Sequence, residues 1–160
     1  MENEFIDRLN KILEVKKPNS KYLSKVKYEK LIIHLKELKT KKPKIPNDYR
    51  IIKKYDVVEV SNVERLVVPK MNKDDQIKCY VFNEELFSIL HETHLSIGHG
   101  RRDRMEHQLH SKYENITRET VMLYLNLCEL CQKKSFMIKP ITSTDNINLH
   151  YQDLVDIHTI

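Results

Sequence analysis

Four side chains in two close pairs restrict what this chain can fold into more than any other feature of its sequence. His94 and His99 have four residues between them, Cys128 and Cys131 have two, and 28 residues separate His99 from Cys128. Zn²⁺ takes four nitrogen or sulfur ligands in a tetrahedron at about 2.0–2.3 Å. A Cys-x-x-Cys turn brings two sulfurs to one ion. A histidine near a helix end, with another just past a glycine-permitted turn, brings two imidazoles from one side. The interval is long enough for two helices to fold back and join the pairs. His94, His99, Cys128 and Cys131 are therefore the expected ligands of one structural Zn²⁺. His91 lies three residues before His94 on the same helical face and stands as the alternate ligand. A redox-active cysteine pair is the competing reading. Redox pairs usually sit at a helix N-terminus, where the dipole favours thiolate. This pair is expected to follow a helix ending near Cys128, which suits a structural metal better.

The rest of the composition sets bounds. A chain of 160 residues suits one domain, or one small domain with a flanking piece. Its two glycines, Gly98 and Gly100, fall in one loop, and such sparing use favours helices over tight β turns. No run approaches the roughly 18 apolar residues of a membrane span, and the acidic start at Glu2 and Glu4 lacks an apolar signal region. No membrane partner, no secretion and no small-molecule substrate are expected, so the chain reads as intracellular, nuclear or cytoplasmic. Three cysteines make no disulfide framework. The net charge of +5 is uneven. Residues 1–54 hold 16 Lys and Arg against 7 Asp and Glu, and residues 55–160 hold 12 against 16. A basic N-terminal third is compatible with polyanion contact or with a solvated lysine-rich face.

The predicted fold is mainly α with a small antiparallel β meander. Apolar residues at helical spacing place a helix over Glu2–Val15, broken at Pro18. Ser24 caps a second helix running to about Leu38, with Tyr28, Leu31, Ile32 and Leu35 on its apolar stripe. A basic linker with Pro43 and Pro46 follows, then a short helix from Asp48 to Lys54. Tyr55–Val60, Glu64–Pro69 and Ile77–Phe82 read as three strands, with turns at Ser61-Asn62 and Asn72–Asp75. Asn83 caps a helix ending near Ser96, Arg101–Tyr113 forms the next, and Thr117 caps one running to about Cys128. Residues 132–150 look loop-like, and Tyr151–Thr159 reads as one strand. The implied divisions are a basic helical segment and linker at 1–46, a short helix and meander at 47–82, a helical zinc module at 83–134, and a tail at 135–160.

With these residues in view the chain resembles a known family. The stretch LFSILHETHLSIGHGRRDRM from Leu86 to Met105 is similar to the integrase zinc-binding domain of retroviruses, retrotransposons and related DNA transposons. NITRETVMLYLNLCELCQKK from Asn115 to Lys134 completes the likeness. It looks most like the animal integrase-like proteins of the KRAB-A-domain-containing and SCAN-domain-containing type, which derive from transposons. It extends upstream through Asn47–Val60 and Val63–Pro69. The resemblance implies a zinc-stabilised helical bundle of the integrase N-terminal type, preceded by a helical segment, that supports homo-oligomerisation and contact with DNA. It also implies an RNase-H-like catalytic domain that begins near Ile138–Ile141 and Tyr151–Ile157.

In that comparison Asp153 matches the first catalytic carboxylate, and Asp156 is the next acid. Two-metal phosphoryl transfer needs several carboxylates around two ions about 3.5–4 Å apart. The family takes the others from far downstream, so these 160 residues are expected to be a truncated, inactive fragment, with Mg²⁺ relevant only to a full catalytic domain. For DNA the candidates are Arg101, Arg102 and Arg104 at a helix start, where backbone donors also face phosphate, with Lys133 and Lys134 after the cysteine pair. Asp103 and Glu106 among them fit the alternative of a solvated, partly paired face. A second class of function stays open: a module for protein contact and oligomerisation with no DNA role.

Overall fold

The computed structural model describes residues 1–16, 21–40, 42, 44–72 and 76–137, the last four of these by backbone alone. Among them are seven α-helices and one two-stranded antiparallel sheet, a mainly helical architecture as the periodicity predicts. Lys17–Ser20, Lys73–Asp75, Asp153 and the strand expected at Tyr151–Thr159 lie outside the described residues.

Helix α1 (Glu2–Val15) buries Phe5 and Leu9, one turn apart, and places Glu2 and Glu4 at its positive end. Helix α2 (Lys25–Thr40) buries Tyr28, Ile32, Leu35 and Leu38, and the Lys27 amide donates to Ser24 Oγ at 3.4 Å. Helix α3 (Pro46–Lys54) begins two residues before the expected Asp48. Proline is well suited to the first helical position, where its missing N–H is not needed. The Ile45 amide donates to Asp48 Oδ2 at 3.1 Å, which closes that end.

Strands β1 (Asp56–Val60) and β2 (Val63–Val67) pair from Asp56↔Val67 to Val60↔Val63. Ser61 and Asn62 turn between them with φ of 51° and 61°, the left-handed pair of a type I′ hairpin. The third expected strand is not one. Around Cys79 it forms isolated bridges to Val67 on one side and Tyr113 on the other. Tyr80 N–H donates to Leu66 at 2.8 Å, while Cys79 N–H donates to Lys112 at 2.8 Å. The segment therefore stitches the hairpin to the helical part instead of extending the sheet.

A 3₁₀ turn at Asn83–Glu85 leads into α4 (Leu86–Ser96), so Asn83 opens that turn and does not cap the helix. Helix α5 (Arg102–Lys112) follows, then α6 (Arg118–Leu127), which Thr117 caps by accepting from the Thr120 amide at 3.3 Å. A last helix, α7 (Glu129–Met137), occupies residues expected to be loop-like from 132 onward. Lys133, Lys134 and Ser135 dilute its apolar pattern, so periodicity does not reveal it.

Two cores form. One joins Phe5 and Leu9 of α1 to Leu86, Leu90, Met105, Leu109, Val121 and Tyr124 of α4–α6. The other joins Leu23 and α2 to Leu66 and Tyr80. Asn115 ties the seam. Its buried Oδ1 accepts from Val81 N–H at 2.8 Å, and its Nδ2 donates to Val81 and Lys21 carbonyls at 2.7 and 3.1 Å. Arg65 adds a two-pronged contact to Glu85 at 2.8 and 2.9 Å. No described helix is long and apolar enough to cross a membrane.

Candidate metal centre

The histidine pair is built by the end of one helix. Beyond Ser96, the last residue of α4, Gly98 takes φ +62° and His99 takes φ 57°. Gly98 N–H donates to Leu95 O at 3.0 Å, and His99 N–H donates to His94 O at 3.0 Å. These two bonds are the nested pair of a Schellman motif, which satisfies carbonyls at a helix C-terminus. The longer one joins the backbones of the two histidines directly. The spacing of His94 and His99 is thus the span of the motif, and a single backbone turn presents both imidazoles on one side.

The cysteine pair is built by the start of another helix. Cys128 ends α6 with φ −75° and ψ 105°. Its carbonyl then accepts from Gln132 N–H at 3.0 Å, opening α7, while Gln132 Nε2 reaches back to Leu125 O at 3.1 Å. Cys131 lies in the first turn of α7. Three residues of spacing at a helix start put both sulfurs at one end of the helix. The pair follows the end of α6, as expected, but it also opens α7. It sits at a helix N-terminus, where amide dipoles favour thiolates, so position alone does not separate a metal ligand from a redox pair. What separates them is the company of two imidazoles.

His94, His99, Cys128 and Cys131 bring one ligand atom each within 4.8 Å of one another. His94 Nε2 lies 3.0 Å from His99 Nδ1 and 3.2 Å from Cys131 Sγ, and Cys128 Sγ lies 3.6 Å from His99 Nδ1. A tetrahedron with bonds of about 2.0–2.3 Å separates its ligand atoms by roughly 3.3–3.8 Å. The four donors fit one such ion with small adjustments. His94 and Cys128 are buried, and His99 and Cys131 are partly exposed, so the cluster sits at the edge of the core.

His91 is placed elsewhere. Its Nδ1 is 2.8 Å from the Tyr124 hydroxyl, and its ring stacks on Phe87 at 5.7 Å with planes 11° apart. Tyr124 is buried and also packs edge-on against His94 at 5.3 Å. Burial, with the nearby Cys128 and Cys131 thiols, pushes the Tyr124 phenol up to about 12. The role of Tyr124 beneath the cluster is not evident from the spacing of ligands. The available signal is that it precedes Cys128 by four residues, one helical turn.

The basic candidates are dispersed in their surroundings. Arg101 and Arg104 are exposed at the start of α5, and Arg102 pairs with the neighbouring Asp103 at 2.7 Å. Lys133 is exposed on α7, 3.9 Å from Glu129. The side chain of Lys134 lies outside the described residues.

No protein-family model matches the chain, and no solved structure matches it. It is similar to the human (Homo sapiens) KRAB-A domain-containing protein 2. The two are 41% identical over 165 aligned positions, which take in 99% of this chain and 34% of that protein. The chain thus spans about a third of the length of this curated relative.

Proposed function

We propose that this chain carries one structural Zn²⁺ on His94, His99, Cys128 and Cys131, and that the ion holds together an integrase-type helical module of a transposon-derived protein. The observation that carries the reading is the convergence of two imidazole nitrogens and two thiols from separate helix ends. A tetrahedral set of two nitrogens and two sulfurs is the coordination of structural zinc. The similarity to an animal KRAB-A domain-containing protein supports the transposon-derived reading, because the module's sequence resembles that class of integrase-like proteins. In this reading the module supports self-association and contacts DNA phosphates through Arg101, Arg104 and Lys133, with Arg102 and Lys134 beside them. Asp153 takes the position of a first catalytic carboxylate in the domain that follows such modules.

Metal analysis of the purified chain should find one zinc per chain. Cys128→Ser or His99→Ala should abolish that stoichiometry and cost most of the helical signal of residues 84–134, since structural zinc contributes about 10–16 kcal/mol to the folding of small zinc peptides. His91→Ala should keep it. A Cys128→Ser protein that retains one zinc and full helicity would sink the assignment. Duplex DNA should bind with an affinity that falls steeply as salt rises. Self-association without any DNA binding, read by sedimentation with and without duplex, would favour a protein-contact module instead.

A further inference from the structure

The hairpin carries a pairing that strands disfavour. Glu59 of β1 stands directly opposite Glu64 of β2, and like charges in that position destabilise a strand pair. The fold treats the two carboxylates differently. Glu64 pairs with Lys36 of α2. Glu59 is exposed, and among the described residues it has no ion-pair partner. Glu29 of α2 is also exposed and, among the same residues, also without one.

These carboxylates line one space. A groove of about 510 Å³ is bounded by α2, the hairpin and the start of the 3₁₀ turn, and Glu29, Glu59 and Glu64 share it with Tyr28, Ile32 and Phe82. Its volume lies in the range of about 300–1,000 Å³ in which proteins hold ligands. The floor is apolar and aromatic. Tyr28 and Ile32 are buried, and the Tyr28 and Phe82 rings meet edge-on at 5.2 Å. Of the other charges, Arg65 already engages Glu85. Lys25 lies with its ammonium 6.0 Å from the centre of the Phe82 ring, so the floor already receives a cation. Glu29 and Glu59 remain uncompensated at the rim, in a chain whose net charge is +5.

Two open carboxylates above an aromatic floor suit one side chain above others. A guanidinium is planar, presents donors in a fork that matches a carboxylate, and stacks on aromatic faces. We propose that this groove docks an arginine-bearing peptide segment of a partner protein, with the guanidinium held by Glu29 and Glu59 over the Tyr28–Phe82 floor. Docking supplies the positive charge that the Glu59–Glu64 pair lacks. It is independent of the metal centre, because none of the four clustered His and Cys residues lines the groove.

Fluorescence anisotropy of the full 160-residue chain with a short labelled peptide of alternating arginine and alanine tests this. The parent should bind, and more weakly as salt rises. Glu29→Gln combined with Glu59→Gln should weaken binding about tenfold. Glu2→Gln combined with Glu14→Gln removes the same charge from α1 and should change it less than twofold. A peptide with glutamate in place of arginine should not bind. The second readout is stability. Glu59→Gln alone should raise the thermal midpoint of the free chain by about 1–3 °C, because it ends the cross-strand repulsion, while it weakens the peptide complex. No binding by the parent, equal losses in the two double variants, or a midpoint that does not rise overturns the proposal. Duplex DNA that binds less tightly once Glu29 and Glu59 are changed would assign the groove to nucleic acid and overturn it too. Self-association of the parent that the same double variant abolishes would make the occupant a second copy of this chain, which also overturns it.

Discussion

At the scale of single residues, the polar side chains inside this fold do two different jobs. His94 and Cys128 supply donors to a cluster, and their chemistry was evident from residue type. Asn115 supplies none. It is a buried amide whose three hydrogen bonds hold the Val81 backbone and the Lys21 carbonyl in place. Nothing in its sequence context marks it, because the partners are 34 and 94 positions away. Asn115→Ala should destabilise the protein by about 2–3 kcal/mol, since it leaves buried backbone groups without partners. Urea unfolding monitored by circular dichroism checks this. A change below about 0.5 kcal/mol would mean that water replaces the amide.

At the scale of elements, helix ends matter more than helix faces. The C-terminal turn of α4 and the N-terminal turn of α7 each present two donors, and their hydrogen-bond geometry dictates the spacing of the pairs. The Schellman turn needs a left-handed residue at Gly98, which the sequence announces by placing one of its two glycines there. Helix α7 is announced by nothing comparable. It has nine residues, fewer than an isolated helix needs in water. Its first turn carries Cys131, so the metal should be what holds it. Chelation should therefore strip hydrogen-exchange protection from the amides of α7 before those of α6. Equal loss across both helices would show that α7 is held by packing alone.

At the scale of the whole molecule, the two cores and the seam between them decide how the centre is supported. Phe5 of α1 packs against Phe87 at 5.6 Å and Tyr124 at 6.4 Å, so the first helix buttresses the layer beneath the His/Cys cluster. Phe5→Ala should cost about 3–5 kcal/mol, the range for a large side chain removed from a core. It should also lower the thermal midpoint of the zinc-loaded module, measured by circular dichroism. An unchanged midpoint would mean that α1 folds apart from it. In the second core, burial pushes the Tyr80 phenol from 10.0 up to about 12. A pKa raised on folding means that the folded state keeps its proton where the unfolded chain has lost it. This contribution is complete below about pH 10 and disappears as pH rises toward about 12. Urea midpoints should fall across that window, and Tyr80→Phe should flatten the decline. An identical slope in the variant would exclude Tyr80 as the source.

The sequence by itself determined which residues could form the His/Cys cluster and most of the helices. Ligand identity is a property of residue type, and a turn or a helix is a local event set by neighbours a few positions apart. Tertiary structure decided what depends on distant residues. It brought α1 into the core of the helical module, turned the third expected strand into a stitch between Val67 and Tyr113, and formed α7 around the cysteine pair. It also placed His94 in the cluster and His91 on Tyr124, a distinction invisible to spacing, since two histidines on one helix face differ only in what the fold sets against them.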